Sequence, residues 1–344
     1  MFASLQLFNH HKMKAVILEG INQPLLYTDA TDPEINSGEV LVKVHAASFN
    51  HRDLWIQKGQ YGGLRFPSIQ GSCGCGVVEK VANDVDSSWI GKEVILNPSL
   101  NWGNNPHTQA KDYIILGMAQ DGTFAEYVKI HSRLLHYKPT HLSAEEAAAI
   151  PLAGLTGFRA LFTRARAVKR ENILVTGVGG GVALLVMQFA VAAGCNVYVT
   201  SGNDEKVAKA IALGAKGGVN YKKENWHKEI QKLSGGIDAV VDSACGDNFA
   251  KLTDIVNPAG RIAFYGATLG AFNSGVPAKI FWKQLDILGS TMGNDEDFAN
   301  MVQFVRDYKI KPVIDSVFPL EQAQQAIEKM GRGEQFGKIV LKVN

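Results

Sequence analysis

Cysteine is scarce in this sequence, and the few that occur form no recognisable pattern. Only four are present among 344 residues. None is separated from another by the two residues of a C-x-x-C motif; they are Cys73, Cys75, Cys195 and Cys245. So few cysteines give no disulfide framework, and reduced thiols inside a cell are the default expectation. Cys73 and Cys75 are too close for an ordinary disulfide, so we expect them to serve in packing.

Long apolar runs and clustered charge are also missing. The apolar stretch Val182–Ala193 is shorter than the roughly 18 residues of a membrane span, which predicts a core helix. Lysine and arginine (35) nearly balance aspartate and glutamate (33), and the net charge is only +2. A nucleic-acid surface would need clustered basic residues, whereas these are spread along the chain. We therefore expect no membrane and no nucleic-acid partner.

The N-terminus offers no targeting signal that we recognise. Residues 1–12 contain His10, His11 and scattered apolar residues, without the apolar core of a secretory signal. The first strand pattern begins at Met13. We therefore predict that residues 1–12 are a disordered extension and that the protein is cytoplasmic.

The first 150 residues have the short strands and frequent turns of a β-rich domain. The segment Asn97–Gly117 interrupts them; it is rich in Asn, Pro and Gly and indicates an ordered lobe. Ser143 followed by Glu146 is typical of a helix N-terminus. The predicted strands are Lys14–Leu18, Glu39–Ala46, Gly76–Val81, Glu93–Leu96 and Phe124–Ile130.

From Asn172 onward, apolar strands alternate with helical segments. This alternation predicts a parallel sheet covered by helices on both faces, and hence an α/β fold. The final strand pattern, Lys338–Lys342, resembles those of the β-rich part, and we expect it to return there. The predicted strands of the alternating part are 172–176, Asn196–Thr200, Gly218–Asn220, Ile237–Val241, Gly260–Gly266 and Leu285–Gly289.

A glycine-rich turn follows the first strand of the alternating part. A turn of this kind lets the backbone approach a pyrophosphate, and the N–H groups of the following helix point at the phosphates. The strict G-x-G-x-x-G form fits imperfectly, because Val182 occupies the sixth position; the register Gly177, Gly180, Ala183 fits better. We predict a dinucleotide site here, against the alternative of a glycine turn in some other α/β protein. Its predicted residues are Gly177, Gly179, Gly180, Gly181 and Val182.

Five short motifs together resemble one large family. They are Gly38-Glu39-Val40-Leu41-Val42, Asn50-His51-Arg52-Asp53, Gly122-Thr123-Phe124-Ala125-Glu126-Tyr127, Pro151-Leu152-Ala153-Gly154-Leu155-Thr156 and Phe336-Gly337-Lys338-Ile339-Val340. With the glycine turn, they make residues 13–344 similar to the medium-chain dehydrogenase/reductase superfamily, which includes zinc-type alcohol dehydrogenases and quinone oxidoreductases. The resemblance implies a GroES-like β-barrel catalytic domain (13–153), a Rossmann doubly wound parallel-sheet coenzyme domain (154–293) and a C-terminal return to the catalytic domain (294–344). It places the active site between them.

The resemblance also shows where a catalytic zinc would be held. In the zinc enzymes its ligands are Cys, His with a neighbouring Glu, and Cys. The matching residues here are Asn50, Ser72, Cys73 and Ala153. A zinc site needs three protein ligands of suitable type, so we predict no metal. Recruitment of Cys73 and His51 as substitute ligands is the alternative. The lobe Asn97–Gly117 also lacks the four cysteines of the family's structural zinc.

The end of the second coenzyme-domain strand bears on the choice of cofactor. NAD enzymes usually place Asp or Glu there for the ribose 2′-hydroxyl, and a carboxylate would repel a 2′-phosphate. Here the position is Ser201. By resemblance to NADPH-using quinone oxidoreductases, Ser201, Lys206 and Tyr221 would hold the 2′-phosphate. We predict NADP(H); the alternative is that Lys206 is only a solvated helix residue.

Further cofactor contacts follow from the same arguments. Loops after the fourth and fifth parallel strands border the ligand crevice, and they carry Ser243, Tyr265 and Gly266. His51 resembles the residue that contacts the pyrophosphate in many relatives, with an ordinary half-buried histidine as the alternative. Thr156, the last residue of the motif Pro151–Thr156, is also predicted to bind the cofactor.

Tyr61 and Asn50 are the predicted catalytic residues. Tyr61 stands where metal-free relatives present a tyrosine, and its hydroxyl could donate a hydrogen bond or a proton. A loop tyrosine that only covers the cleft is equally compatible with the sequence. Asn50, at the vacated zinc-ligand position, would orient the substrate carbonyl or the nicotinamide ribose.

The resulting prediction is a zinc-independent, NADPH-dependent oxidoreductase that transfers hydride to a small electrophile, either a quinone or an α,β-unsaturated carbonyl. One alternative is a zinc-type alcohol dehydrogenase acting on small alcohols and aldehydes. Another is an NADPH-binding redox sensor or structural protein with little catalysis. In relatives the strand matching Leu285–Gly289 pairs with its copy in a second subunit, which implies a homodimer.

Overall fold

The computed structural model describes residues 12–272 and 277–343. The predicted N-terminal extension lies outside the described residues except for Lys12. That residue already belongs to the first strand, so the extension was predicted one residue too long. The strand gains Lys12 because its backbone pairs in register with Thr31 of the next strand.

The N-terminal half forms two small sheets and most of a larger one. Its strands are β1 (Lys12–Leu18), β2 (Leu25–Thr31), β3 (Glu39–Ser48), β4 (Ser68–Ile69), β5 (Cys73–Val81), β6 (Glu93–Leu96), β7 (Ser99–Leu100), β8 (Ile114–Ile115), β9 (Tyr127–His131) and β10 (Leu135–Tyr137). β2, β1 and β4 form a three-stranded sheet, and β7 pairs with β8. The long strand β3 pairs with both β5 and β9 and is the centre of the larger sheet.

Three helices lie in or after this half: α1 (His51–Gln57), α2 (Ala144–Ala148) and α3 (Pro151–Phe158). The predicted N-cap is present, because the Ser143 side chain accepts a hydrogen bond from the Glu146 backbone. A π-helical segment, Arg159–Arg164, continues α3. The lobe 97–117 is closed by the β7–β8 pair.

The second half contains a six-stranded parallel sheet in the order β13-β12-β11-β14-β15-β16. Its strands are β11 (Asn172–Val175), β12 (Asn196–Ser201), β13 (Gly217–Asn220), β14 (Ile237–Asp242), β15 (Val256–Phe264) and β16 (Asp286–Gly289). Its helices are α4 (Gly181–Ala192), α5 (Asp204–Ala212), α6 (Trp226–Ser234), α7 (Asn248–Ile255) and α8 (Pro277–Lys283). The order reverses between β11 and β14, and a crevice at such a reversal is where doubly wound sheets bind ligands.

The C-terminal residues run back to the N-terminal half. They form α9 (Asp295–Asp307), β17 (Ile314–Pro319), α10 (Ala323–Gly331) and β18 (Lys338–Lys342). β18 pairs antiparallel with β3 and parallel with β17, so the last strand joins the larger N-terminal sheet. No helix within the described ranges is long and apolar enough to cross a membrane.

The sequence patterns missed several elements. β2 has only one buried residue, Leu25, so it shows no apolar alternation. α6 buries only Trp226 and Ile230. α1 is seven residues long, too short for a visible helical period, although Asp53 accepts a hydrogen bond from the Asn50 N–H in the manner of a capping box.

Candidate functional site

A cavity of about 1080 Å³ lies between the two halves, at the carboxyl ends of β11, β12, β14 and β15. Every residue predicted for a site lies in its wall. These residues are Asn50, His51, Tyr61, Thr156, Gly177, Gly179, Gly180, Gly181, Val182, Ser201, Lys206, Tyr221, Ser243, Tyr265 and Gly266. The structure therefore brings together groups that are up to 216 positions apart in the sequence (from 50 to 266).

The glycine turn lies in the wall of this cavity. Gly177 and Gly179 have φ values of +67° and +131°, which side-chain-bearing residues rarely adopt. Gly180 is extended with φ −78°, and a Cβ there would meet no protein atom within 4 Å. α4 begins at Gly181, so the free N–H groups of its first turn lie at the cavity wall. This arrangement can accept an anionic pyrophosphate.

The C-terminal strand is docked against the same turn. The Gly337 N–H donates to the Gly179 carbonyl at 2.9 Å. A Cβ on Gly181 would lie 2.3 Å from Cδ of Lys338, so only glycine leaves room for that lysine. The C-terminal segment, whose strand β18 pairs with β3, thus contacts the glycine turn through the Gly337 backbone and the Lys338 side chain.

The end of the cavity beside β12 and α5 is rich in cations. The sequence predicts that the adenosine half of a cofactor lies there, so we call it the adenosine end. Lys206 lies over the turn, and its Nζ donates to the Gly333 carbonyl at 2.8 Å. Burial lowers the pKa of Lys206, and Asp315 opposes that change. Lys222 and Arg332 line the same end; the carboxylate of Glu334 is paired with Arg332 at 2.6 Å. This end therefore carries a positive excess that favours a phosphate.

The loops after β14 and β15 border another part of the cavity. The sequence predicts that the nicotinamide lies there, so we call it the nicotinamide end. Ser243 and Tyr265 lie there, and burial raises the pKa of the Tyr265 hydroxyl. Cys245 follows in the first of these loops, and burial, with the nearby Asp242, raises the pKa of its thiol to about 11. A thiol with that pKa is protonated at neutral pH, so Cys245 is not an activated nucleophile.

Asn50 belongs to a buried polar cluster. Its Oδ1 accepts a hydrogen bond from Lys338 Nζ at 2.7 Å, and its Nδ2 donates to Cys73 Sγ at 3.2 Å. Lys338 also donates to the Phe49 carbonyl. Burial lowers the pKa of Lys338, and Cys73 and Asp53 oppose that change. Both ends of the Asn50 amide are therefore engaged within the protein, which suits a residue that holds the cluster together.

His51 opens α1 at the cavity wall beside this cluster. His51 is exposed at the cavity; partial desolvation by the surrounding protein and the nearby Lys338 ammonium lower its pKa. The ring is therefore mostly neutral at pH 7, and can donate one hydrogen bond to a phosphate oxygen.

Tyr61 and Arg52 line the part of the cavity beside α1, which we call the substrate end. The Arg52 guanidinium lies 5.0 Å from the centre of the Tyr61 ring. Its Nη1 donates to Ser72 Oγ at 2.6 Å and to the Leu116 carbonyl at 3.1 Å. Trp55, Ile115 and Met292 make the neighbouring walls apolar.

The residues at the zinc-ligand positions do not fit a zinc ion. Ser72 Oγ is occupied by Arg52 and the Leu116 carbonyl. Ala153 offers no donor atom, and Cys73 Sγ accepts hydrogen bonds from Asn50 and from the Leu152 N–H. Within the described part of the chain, no group of three or more His, Cys, Asp or Glu residues could hold a metal.

Two parts of the site were missed from the sequence. The loop 332–337 and Lys338 line the cavity, yet Lys338 was noted only within a family motif. Arg52 was not predicted as a site residue; it lies in the cavity wall and forms an ion pair with Asp53, with 3.8 Å between Nη1 and Oδ1. Arg52 lies in the sequence between His51 and Tyr61, both predicted site residues, and that position could have identified it. It belongs to α1, a helix that the sequence pattern did not reveal.

Two family models match the chain. The model described as "Alcohol dehydrogenase GroES-like domain" matches residues 36–140, and the one described as "Zinc-binding dehydrogenase" matches residues 181–307. They match the two halves of the molecule separately, and the predicted fold class is confirmed.

Known proteins resemble the chain over nearly its whole length. It is 36% identical to the zinc-type alcohol dehydrogenase-like protein YogA of Leptosphaeria maculans, with 93% of this chain and 95% of that protein covered. It is 29% identical to the quinone oxidoreductase of Mus musculus, with 92% of each covered. A crystal structure of an NAD-dependent alcohol dehydrogenase has a TM-score of 0.91 at 36% identity, covering 96% of this chain and 100% of the other. The chain therefore belongs to the medium-chain dehydrogenase/reductase superfamily of oxidoreductases.

Proposed function

We propose that this oxidoreductase works without zinc and uses NADPH to reduce a quinone or an α,β-unsaturated carbonyl. The observation that carries the proposal is the donor set at the zinc-ligand positions: an amide, a hydroxyl and a methyl group replace the ligand types that zinc requires. The family resemblance to the mouse quinone oxidoreductase supports the same reaction class.

The preference for NADPH is supported by charge. Lys206, Lys222 and Arg332 line the adenosine end, where Ser201 replaces the carboxylate typical of NAD enzymes. When bound, NADPH supplies a hydride from its nicotinamide ring. The glycine turn would hold the pyrophosphate, and Ser201, Lys206 and Tyr221 the 2′-phosphate.

The chain's own contribution to the chemistry lies at the substrate end. Apolar walls from Trp55, Ile115 and Met292 exclude water and suit an uncharged, unsaturated substrate. Tyr61 lies in the wall of this end beside Arg52, where its hydroxyl could donate a hydrogen bond to a substrate oxygen.

A second candidate is an alcohol dehydrogenase that uses NAD. It is favoured by the solved structure at 36% identity, which is named an NAD-dependent alcohol dehydrogenase. Such an enzyme would need a group other than the residues at the family's zinc positions to polarise the alcohol oxygen.

Purified protein of measured zinc content should separate these candidates. We expect NADPH oxidation with benzoquinone, phenanthrenequinone or a small enone, much weaker activity with NADH, and no stoichiometric zinc. Oxidation of simple alcohols with NAD, accompanied by bound zinc, would contradict the proposal. Tight NADPH binding without turnover on any electrophile would instead favour a redox sensor.

Replacing Gly180 by valine should weaken cofactor binding without harming the fold. The backbone of Gly180 suits any residue, and a Cβ there points into open space. A branched side chain at that place would block the approach of a pyrophosphate to the turn. We expect the dissociation constant for NADPH, measured by fluorescence titration, to rise at least about tenfold, equivalent to about 1.4 kcal/mol.

Gly20→Val is the matched control. Gly20 lies outside the cavity wall, and a Cβ there would be in ordinary contact with Gln23 at 3.6 Å. Both variants should melt close to the wild type. Unchanged NADPH affinity in Gly180→Val would show that the pyrophosphate does not pass over this turn.

We further propose a cytoplasmic homodimer joined at β16. That strand is at the edge of the six-stranded sheet, paired only with β15 among the described residues. The neighbouring α8 exposes Phe281 and Trp282, the latter at 83%. Light scattering of the purified protein should give twice the chain mass, and a monomer would refute the dimer.

A further inference from the structure

Arg52 is a buried cation at the wall of the substrate end. It is only 7% exposed, and among the described residues neither its Nε nor its Nη2 makes a hydrogen bond. The Nε is fully buried, whereas Nη2 is not, so Nη2 is the donor that a ligand in the cavity can reach. A guanidinium stays protonated at any working pH and carries five N–H donors. Burial of such a group with donors unused is costly, unless a ligand completes its hydrogen bonds.

The surroundings fix where the guanidinium lies. Its Nη1 is held by Ser72 and the Leu116 carbonyl, and the Tyr61 ring lies 5.0 Å from its centre. Ser72 is one of the residues at the family's zinc-ligand positions. Arg52, which lies in the cavity wall, therefore donates a hydrogen bond to the side chain at one of those positions.

The adjacent carboxylate only partly compensates this charge. Asp53 is fully buried and lies 3.8 Å from Arg52 Nη1, too far for a hydrogen bond. Its Oδ2 accepts instead from the Asn50 N–H at 2.8 Å, and its Oδ1 has no partner among the described residues. The other buried cation, Lys338, already donates to Asn50 and to the Phe49 carbonyl. Lys338 therefore has one of its three N–H donors unused, whereas Arg52 has three of its five unused, those on Nε and Nη2.

We propose that Arg52 is a catalytic residue, which binds the substrate oxygen that becomes negative when hydride arrives and so replaces the electrophilic role that zinc has in relatives. The inference rests on the proposed reductase function and extends it. In an enone, a hydride that NADPH would supply, leaving NADP⁺, forms the new C–H bond at the β-carbon. The C=C π pair then becomes the bond between the α-carbon and the carbonyl carbon, and the carbonyl π pair moves to the oxygen, which gives an enolate. An Arg52 N–H donates to that oxygen and keeps its proton; a proton from solvent then enters at the α-carbon.

This role defines the substrate class. The acceptor must carry an oxygen that becomes negative when hydride arrives, as in quinones and enones, so that the charge develops beside Arg52. Preorganised donors aimed at such an oxygen commonly contribute about a hundred- to a thousandfold to kcat.

The test compares Arg52→Met, Arg52→Lys and Ser72→Ala with the wild type. We expect Arg52→Met to lower kcat for an enone about a hundredfold or more, while the dissociation constant for NADPH changes less than about twofold. Arg52→Lys, which keeps the charge, should recover part of the loss. Ser72→Ala, which frees Nη1, should give an intermediate loss and protects the test if Arg52→Met does not fold.

A nitrophenol supplies a readout that does not depend on turnover. Its absorption spectrum distinguishes phenol from phenolate, and the phenolate resembles the negative oxygen of a reduced quinone. Binding to wild-type protein should lower the apparent pKa of the dye by about one unit or more, and Arg52→Met should abolish that shift. If the wild type reduces neither quinones nor enones, the proposed function fails, and the dye alone then decides the role of Arg52. An unshifted dye, or Arg52→Met with kcat within about threefold of the wild type, would overturn the inference.

Discussion

Replacing Ser201 by aspartate should reverse the cofactor preference of this enzyme. Ser201 ends β12, is 4% exposed and lies in the cavity wall near Lys206. A carboxylate there would face the 2′-phosphate of NADPH, and two like charges about 4 Å apart repel by several kcal/mol at an effective dielectric constant near 20. We expect kcat/KM for NADPH to fall about a hundredfold or more, with a smaller change or a gain for NADH. Steady-state kinetics with both cofactors measure the effect.

Ser201→Asn separates charge from size. Asparagine has nearly the shape of aspartate, so any loss due to crowding in this buried position appears in both variants. We expect the asparagine variant to keep its preference for NADPH. Equal losses with the two cofactors in Ser201→Asp would mean that the 2′-phosphate lies elsewhere, and would remove support for Ser201, Lys206 and Tyr221 as its site.

The cofactor half of the site could be predicted because its signals are local. The strand, the glycine turn and the helix from Asn172 to Ala192 follow one another along the chain, and each residue acts through backbone conformation or a nearby contact. Parallel strands also bring their carboxyl ends to one edge, so Ser201 and Ser243 could be placed beside the turn without knowing any side-chain contact. The structure places all of them in one cavity.

The substrate half could not be predicted in this way, because its contacts join distant parts of the chain. Lys338 reaches Asn50 across 288 positions, and Arg52 meets the Leu116 carbonyl across 64. No rule of sequence spacing predicts either contact. Which residues near position 52 face the cavity depends on the short helix α1, and the sequence pattern did not reveal that helix. Asn50, predicted to contact substrate or cofactor, lies in the cavity wall, and its amide is hydrogen-bonded to Lys338 and Cys73, contacts that the sequence did not indicate.

The lobe 97–117 is a second case in which contacts between distant residues could not be predicted, and it concerns stability. Its position in the sequence was predicted, but not the way it is attached. Arg159, 3% exposed, donates to the carbonyls of Pro106 and His107 at 2.8 and 3.3 Å and lies 4.9 Å from the Trp102 ring. The same guanidinium is paired with Asp297 at the first turn of α9. One buried ion pair therefore joins the lobe to the C-terminal segment.

Asp297→Ala should strongly destabilise the folded protein. It would leave the Arg159 guanidinium buried without its counter-ion, and breaking a buried pair in this way costs about 3–5 kcal/mol. Asp297 also accepts a hydrogen bond from Thr163 at 2.7 Å, which would be lost as well. Urea unfolding should report the lower free energy of unfolding, and hydrogen exchange should show the earliest loss of protection in the lobe 97–117, because that segment depends on Arg159.

Asp295→Ala provides an internal control two residues away. Asp295 lies in the same first turn of α9 and is also paired with an arginine, Arg133, but both side chains are more than 40% exposed. Both aspartates interact favourably with the helix dipole, so that contribution largely cancels between the variants. The capping-box hydrogen bond from the Asn294 N–H is lost only in Asp297→Ala, and the hydrogen bond from Asn97 only in Asp295→Ala. An exposed pair is worth only about 0–1 kcal/mol, and screening by salt reduces it further. Comparable losses from the two substitutions would mean that the helix terminus, and not the buried pair with Arg159, accounts for the stability that Asp297 provides.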